Sequence, residues 1–411
     1  MRNGLPLLLA ALLAAPAAAE PPALDPTEAA ALDAALAADL AAADTADTAD
    51  TTATDAPPAP LPAPIAAPAA GGGLLDISLI LDAAAAAFDA TPAQSGAHDP
   101  QDTGFTLQQL ELHAGANVDP YFRLDANLVF AEFGVEVEEA YGTTLALPAG
   151  LQLRAGQFLT RFGRHNATHP HAWHFADQPL VNGKFFGGEG SRGLGVELSW
   201  LSPLPWYVEL VASATHAAGE CCARSFQGGD ALPIETPADL LYTTAIKQFF
   251  ALGPALSLAW GLSAQLGPNS TGQGNRTEIY GTDLYLHFRR PTDPDRASLA
   301  LLIEALYRTR EIPFDRLADH GGQAQLVWTL SPLWATGLRY GYVSGLADDP
   351  LDPEWQSGRH RASAQLTYTP SHFSRLRLQY NHDRGGPLAE PVNGVIVALE
   401  LLVGAHGAHA F

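Results

Sequence analysis

The chain has 411 residues, with 44 acidic and 22 basic side chains, a formal net charge of −22 and a pI near 4.8. This acidic balance argues against a nucleic-acid-binding protein, because phosphate contacts need clustered Lys and Arg. Two cysteines cannot frame a disulfide-rich scaffold. Without a run of about eighteen strongly apolar residues the sequence predicts no transmembrane helix, although strands of alternating polarity stay compatible with a membrane.

The N-terminal part of the chain predicts two segments without a packed core. Arg2, the apolar stretch Leu5–Ala15 and the small residues Ala17–Ala19 match a secretory signal peptide over residues 1–19. Residues 20–72 are rich in Ala, Pro, Asp and Thr, a composition that favours extended, low-complexity chain. We expect this second segment to lie in the periplasm.

From residue 73 to residue 411 the dominant period of the sequence is two, as in β-strands. We count sixteen strand-like runs, which begin near residues 74, 105, 121, 135, 151, 193, 206, 239, 255, 278, 297, 321, 334, 359, 374 and 393. Every even-to-odd connection is tight and rich in Pro, Gly or Asp, whereas odd-to-even connections are mostly longer. This asymmetry is typical of outer-membrane barrels and has no counterpart in sandwiches. The sequence therefore predicts an all-β protein, a transmembrane antiparallel β-barrel of about 16 strands with both termini periplasmic.

The last strand carries an apolar row that ends on an aromatic residue. Val395, Val397, Leu399, Leu401 and Val403 share the parity of the terminal Phe411. One apolar row per strand is expected where the outer surface faces lipid. A terminal aromatic resembles the C-terminal signal of bacterial outer-membrane barrels, so we expect the bacterial outer membrane as location and the barrel-assembly machinery as a partner.

The connection Arg164–Arg192 is the longest at the long-loop end, and it carries Trp173, Phe175, Phe185 and Phe186. Because sixteen strands enclose a lumen wide enough for water, such a loop can fold inside and narrow the passage. We therefore predict a pore-constricting loop. The side chains expected to meet the solute there are those of Arg164, His165, Lys184 and Arg192.

Inward-facing charges predict an electrostatic asymmetry in the lumen. By parity, four arginines on three consecutive strands form a basic wall: Arg339, Arg361, Arg375 and Arg377. Glu136 and Glu138, with Glu139 beside them, form an acidic patch elsewhere. Walls of one sign set pore selectivity. The alternative is a set of charges that neutralise one another and select nothing.

The stretch Leu153–Gly163 contains the pattern R-x-G-x-F-x-x-x-F-G. It resembles the strand of the phosphate-selective porin family that runs into the loop folded into the pore. The segments His169–Trp173 and Phe185–Gly190 are similar to relatives often labelled zinc-regulated TonB-dependent outer membrane receptors. The resemblance implies a diffusion porin with some anion preference.

Four histidines lie close together in the long connection: His165, His169, His171 and His174. Imidazole is a common zinc ligand, so these residues are candidate metal ligands. Pro170 interrupts helical spacing between them, and stacking on loop aromatics is the alternative. The adjacent Cys221 and Cys222 lie in the connection after the seventh strand. They could form a vicinal disulfide, bind a metal with His216, or be surface residues without a role.

The sequence shows no nucleophile with a base and an orienting group, so we predict that the protein is not an enzyme. We expect an outer-membrane porin for passive diffusion of small hydrophilic solutes or ions, with an anion preference. The alternative is a metal-related uptake or receptor protein that uses the histidine-rich loop. Expected partners are outer-membrane lipid, the solute and further copies in a homotrimer, but no nucleic acid. No cofactor is expected, unless the histidines bind zinc.

Overall fold

The computed structural model describes residues 67–68, 74–132, 134–217, 219, 221–228, 233–272, 274–289 and 297–404. All of them belong to one compact unit, Ala63–Phe411. The predicted signal peptide, most of the predicted low-complexity segment and the terminal Phe411 lie outside the described residues. Among the described residues, none of the helices has the length and apolar character of a membrane-spanning helix.

Sixteen long antiparallel strands make up most of the described chain. They are β1 Leu74–Phe88, β2 Gly104–Asn117, β3 Phe122–Ala131, β4 Gly134–Thr144, β5 Leu151–Leu159, β6 Arg192–Leu201, β7 Tyr207–Thr215, β8 Leu241–Ala251, β9 Leu256–Pro268, β10 Arg276–Arg289, β11 Ser298–Ile312, β12 Asp315–Thr329, β13 Trp334–Val343, β14 Arg359–Ser371, β15 Ser374–Gly385 and β16 Val392–Gly404. Each strand pairs with the next, and β16 pairs with β1, so the sheet closes into a barrel. The predicted all-β architecture and strand number are confirmed.

Alternating polarity gives this barrel an apolar outer surface and a polar interior. In β15, Leu378 faces outward and is half exposed, whereas its neighbours Arg377 and Gln379 are buried inside. The predicted apolar row of β16 behaves in the same way, since Val395, Val397, Leu399, Leu401 and Val403 are all exposed. This is the pattern of a barrel whose outer face meets lipid and whose interior is polar.

Strand beginnings agree with the sequence-based expectation to within two residues, except in β12. That strand was expected near residue 321 and begins at Asp315. Two of its first outward side chains are polar: Arg316 pairs with Glu278, and His320 lies against Tyr342. Because these outward positions are polar rather than apolar, alternation is hidden at the start of the strand.

Two bulges place consecutive polar residues inside the barrel. In β2, Gln108 is the extra residue of the register shift between β1 and β2, and Gln108 and Gln109 are both buried. In β4, Glu138 is the extra residue opposite β3, and Glu138 and Glu139 are both buried. A bulge inserts one unpaired residue and so interrupts the inside–outside alternation.

Residues 160–191, the inner loop, pack within the lumen. The loop contains a 3₁₀ turn, Pro170–Ala172, and one helix, α1 Leu180–Phe186. Phe175, Phe185 and Phe186 are buried, each burial favouring the packed state by roughly 1.5–3 kcal/mol. The main apolar cluster joins this loop to lumen-facing and neighbouring loop residues: Phe162, Leu180, Val181, Phe185, Phe186, Ala217, Ala223, Phe226, Leu241, Ile279, Leu306, Val343 and Trp355. The predicted inward packing of the loop is thus confirmed.

Candidate functional site: the lumen and its inner loop

The first residues of the inner loop are fixed by strands on the far side of the barrel. The backbone N–H groups of Arg164 and His165 both donate to Glu304 Oε1 of β11, at 2.8 and 2.9 Å. Gly163 N–H donates to Ser263 Oγ at 2.9 Å, and its carbonyl accepts from Lys247 Nζ at 3.1 Å. The chain therefore crosses the lumen as soon as it leaves β5.

Asp177, in the middle of the loop, is bound by side chains from three neighbouring strands. Its carboxylate accepts hydrogen bonds from Arg339, from Arg361 Nη1 at 2.9 Å, from Gln379 Nε2 at 2.6 Å and from Asn381 Nδ2 at 2.9 Å. Burial alone would raise the pKa of Asp177, but Arg339 and Arg361 lower it below its usual value. We call these five residues the Asp177 latch.

The predicted basic wall faces inward on β13, β14 and β15, but its arginines contact the loop instead of an open passage. Arg339 and Arg361 belong to the Asp177 latch. Arg377 donates to the Phe175 carbonyl at 3.2 Å, and Arg375 donates to the His171 carbonyl at 2.6 Å and pairs with Glu400. The inner loop therefore covers these arginines, and none of the four lines the cavity described below.

Helix α1 is held by a second buried ion-pair network. Lys184 Nζ lies 2.8 Å from Asp319 Oδ2 of β12, and Arg308 binds the same carboxylate at 2.6 Å. Arg308 Nη2 also lies 2.5 Å from Oδ2 of Asp352, a residue of the connection 344–358 between β13 and β14. Burial lowers the pKa of Lys184, while Asp319 acts in the opposite direction. Lys184, predicted to meet the solute, is instead fully buried in this network.

The C-terminal end of the loop is fixed by Arg192. This residue pairs with Glu136 at 2.9 Å, so the two predicted site residues neutralise each other. Its Nε also donates to the Cys222 sulfur at 3.1 Å. Cys221 and Cys222 form a vicinal disulfide, one of the three alternatives left open by the sequence.

A cavity of about 750 Å³ lies beside the inner loop, toward the short-turn end of the barrel. Carboxylates and cations line it together: Asp76, Glu111, Asp125, Glu139, Glu209, Asp283, Arg123, Arg154, Arg161, Arg164 and Lys247. Of the four predicted constriction residues, only Arg164 lines this cavity, with its guanidinium 3.9 Å from the centre of the Tyr285 ring. His165, Lys184 and Arg192 are buried away from it.

The structure does not bring the four predicted metal-ligating histidines together. His165 stacks on Trp173, with ring centres 4.7 Å apart. Burial and Arg339 lower the pKa of His165 to about 3, so this ring is neutral. His174, by contrast, is exposed.

His169 and His171 instead meet carboxylates of the barrel wall. His169 Nδ1 lies 2.9 Å from Glu138 Oε2, its Nε2 lies 2.9 Å from Glu139 Oε2, and His171 Nδ1 lies 2.9 Å from Glu111 Oε2. Although burial alone would lower the pKa of His169, Glu138 and Glu111 raise it well above its usual value. We call these five residues the Glu–His cluster.

Sequence reasoning did not single out three carboxylates whose ion pairs hold the inner loop and residues 344–358 against the barrel wall: Asp177, Asp319 and Asp352. One signal in the sequence could have indicated them: arginines that face the interior of a barrel need acidic partners when they are buried. For Asp319, the alternation along β12 already predicts an inward-facing side chain. For Asp177, in an irregular loop, no periodicity applies.

Comparison with known proteins places the chain among barrels of the porin type. No family model matches it. It is 34% identical over 343 residues to an uncharacterized protein of Aquifex aeolicus (strain VF5), covering 75% of this chain and 70% of that protein.

Several solved structures are similar to this chain. One is the outer membrane channel DcaP of Acinetobacter baumannii, with a TM-score of 0.56 and 15% identity over 82% of this chain and 99% of that one. Another is the anion-selective porin from Comamonas acidovorans, with a TM-score of 0.54 and 13% identity over 80% of this chain and 99% of that one. A third is Pseudomonas putida OprB (TM-score 0.52, 9% identity, 80% and 94%).

These structural likenesses show the fold, a sixteen-stranded barrel of the outer-membrane porin type. At their low identity they say nothing of solutes. The resemblance to the phosphate-selective porin family remains a prediction from the sequence.

Proposed function

The chain belongs to the same family as the Aquifex aeolicus protein and has the porin fold, and from this premise we propose that it is an outer-membrane channel for passive diffusion of small hydrophilic solutes. The observation that carries the proposal is a closed sixteen-stranded barrel whose polar lumen holds a cavity of about 750 Å³ beside an inward-folded loop. Barrels of this size enclose water, whereas eight-stranded barrels are filled by side chains. The function is selective permeation, so it needs no catalytic group.

The passage runs along the wall formed by β1–β10, because the inner loop is latched against the opposite wall. Cavity-lining residues come from β1, β2, β3, β4, β5, β7, β8, β9 and β10. On β13–β15, by contrast, Arg339, Arg361 and Gln379 are occupied by Asp177. Solutes therefore meet acidic and basic side chains facing one another, and pass by size and charge.

We propose that anion preference is carried by two cations of this cavity. Arg123, Arg154 and Arg161 form ion pairs with carboxylates at 2.9, 3.1 and 2.9 Å. Within the part of the chain that the structure describes, Arg164 and Lys247 make no ion pair: the first lies over Tyr285 and the second bonds a carbonyl. Unneutralised cations along a pathway attract anions.

We place the protein in the outer membrane with the short turns and both termini on the periplasmic side. Short periplasmic turns and longer external loops are the usual arrangement of such barrels. A homotrimer remains the expected assembly. Outer-membrane lipid and the barrel-assembly machinery are the partners that this location implies.

Liposome swelling tests the proposed function. The tag-free protein is reconstituted into vesicles, which are then placed in isosmotic solutions of uncharged sugars of increasing size. The proposal predicts swelling rates that fall steadily as sugar size rises. Rates equal to those of protein-free vesicles, with a folded barrel present, would overturn it.

A further inference from the structure

The Glu–His cluster consists of five potential metal ligands gathered from two strands and the inner loop. Glu111 lies on β2, Glu138 and Glu139 on β4, and His169 and His171 on the loop. All five side chains are at least nine-tenths buried. Three carboxylates and two imidazoles thus share one buried site.

The ring of His169 lies between two carboxylates, a surrounding that favours positive charge. Each ring nitrogen lies 2.9 Å from a carboxylate oxygen, Nδ1 from Glu138 and Nε2 from Glu139. Carboxylate oxygens only accept, and a neutral imidazole carries a single N–H, so it satisfies only one of the two. A third carboxylate, Glu111, lies 3.9 Å from His169 Nδ1 and 2.9 Å from His171 Nδ1.

The spacing of the donor atoms suits one ion held by several residues. Ligand atoms of Glu111, Glu138 and His169 all lie within 4.8 Å of one another. Nitrogen and oxygen ligands about 2.0–2.2 Å from a tetrahedral zinc ion stand about 3.4 Å apart. The contacts of 2.9 and 3.9 Å around His169 Nδ1 bracket that separation.

A second group with metal-ligand spacing, His98, Glu136 and Glu189, already has its charges matched. Arg192 pairs with Glu136 at 2.9 Å, and His98 Nε2 lies 3.1 Å from Glu189 Oε2. Because Arg192 carries a permanent positive charge beside this group, we do not expect the group to bind a further cation. In the Glu–His cluster the carboxylates contact imidazole rings at 2.9 Å.

We propose that Glu111, Glu138 and His169 bind a divalent first-row transition-metal ion, with Glu139 and His171 completing or orienting the ligand set. Mixed carboxylate and imidazole donors suit zinc, manganese, iron or cobalt better than soft ions. Glu111, Glu139, His169 and His171 also line the large cavity, so a hydrated ion reaches them from the lumen. That permeating solutes pass this site rests on the proposed function, whereas metal binding itself does not.

Calorimetric titration of the folded, tag-free, full-length protein with Zn²⁺ tests the proposal, with Co²⁺ as a spectroscopic probe. We expect one ion per chain, and visible absorption bands from bound Co²⁺ that Zn²⁺ removes. Glu138→Gln and His169→Gln should each weaken binding at least about tenfold. Absence of saturable one-to-one binding to the wild type overturns the proposal, whatever the variants do.

The matched control is the double variant His165→Gln with His174→Gln, which removes two histidines of the same loop that lie outside the cluster. It should bind Zn²⁺ as the wild type does. Loss of binding in this control, or unchanged affinity in a folded Glu138→Gln variant, would assign the metal elsewhere and refute the cluster. Potassium chloride conductance in metal-free buffer separates the two proposals: conduction without Zn²⁺ binding refutes only the metal site, and binding without conduction refutes only the channel.

Discussion

Asp177 of the inner loop accepts a hydrogen bond from Arg361 of β14 at 2.9 Å, a contact that ties the loop to the barrel wall. Arg339 binds the other oxygen of the same carboxylate. Both arginines are buried, so their positive charge stabilises the docked loop and is not exposed to solutes. The inner loop and this wall are therefore best regarded as one structural unit, and the passage as the space left on the other side.

Asp177→Asn is predicted to loosen the inner loop. The substitution keeps the shape of the side chain, but it removes the carboxylate that pairs with Arg339 and one of the two that pair with Arg361. Breaking a buried ion pair costs about 3–5 kcal/mol. We expect larger and noisier single-channel conductance. Arg316→Gln is the matched control, because it breaks an exposed ion pair on the outer face, with Glu278. Identical recordings from Asp177→Asn and the wild type would show that the latch does not hold the loop.

Arg164→Gln combined with Lys247→Gln is predicted to move ion preference toward cations. These two side chains line the cavity and form no ion pair within the described chain, so their loss leaves the cavity more negative. The measurement is the reversal potential in a salt gradient. Arg339→Gln with Arg377→Gln removes the same charge from beneath the loop and should shift the potential less. A larger shift from that second pair would restore the basic wall as the selectivity element.

The contact between His98 and Glu189 is predicted to weaken in alkaline solution. His98 Nδ1 donates to the Gln108 carbonyl at 2.7 Å while Nε2 lies 3.1 Å from the Glu189 carboxylate. Burial alone would lower the pKa of His98, but Glu189 raises it to about 9. Because the folded pKa exceeds the ordinary value, this contribution to stability is complete below pH 6.5 and disappears as the pH rises through 9.

Digestion with a broad-specificity protease measures that change. Cleavage within residues 89–103, the connection that carries His98, should accelerate between pH 8 and pH 10 relative to a marker substrate of the same protease. In His98→Gln the ratio should be high and independent of pH. A wild-type ratio that stays flat across this range would contradict the ion pair.

Gly183→Val is predicted to destabilise the packing of helix α1 against residues 89–103. A Cβ atom at Gly183 would lie 2.3 Å from Ser95 Cβ and 2.6 Å from its carbonyl oxygen, so the two segments must separate. Overpacking of this kind costs about 1–3 kcal/mol. Thermal unfolding in detergent should show a lower midpoint than for Gly142→Ala, where the added Cβ would meet only the Arg123 carbonyl oxygen at 3.8 Å. Equal midpoints would mean that this contact does not contribute.

Much of the barrel was predictable because strand alternation is a local signal. The apolar parity of β16 and the inward parity of Arg377 follow from period two and needed no tertiary information. The bulge at Glu138 was not readable, since an extra residue is defined by pairing with β3 and leaves the composition of β4 unchanged. Without it, Glu139 would be expected outside the barrel.

The candidate site was predictable only in outline. Four aromatics in one long connection indicated a loop folded into the lumen, which the structure confirms. Which charges remain open to solutes depends on where that loop docks, and Asp177 finds Arg361 across 184 residues of sequence. Arg164 faces the cavity while Lys184 of the same loop is buried, a difference that residue type alone does not encode.

Single-channel recording in a planar bilayer tests the central claim most directly. The protein should insert as a folded barrel, verified by heat-modifiable migration in gels, and produce steady steps of current that are proportional to voltage. Such steps are expected because a water-filled passage beside the latched inner loop conducts without gating chemistry. Folded, inserted protein that gives no conductance above the lipid background would contradict the account.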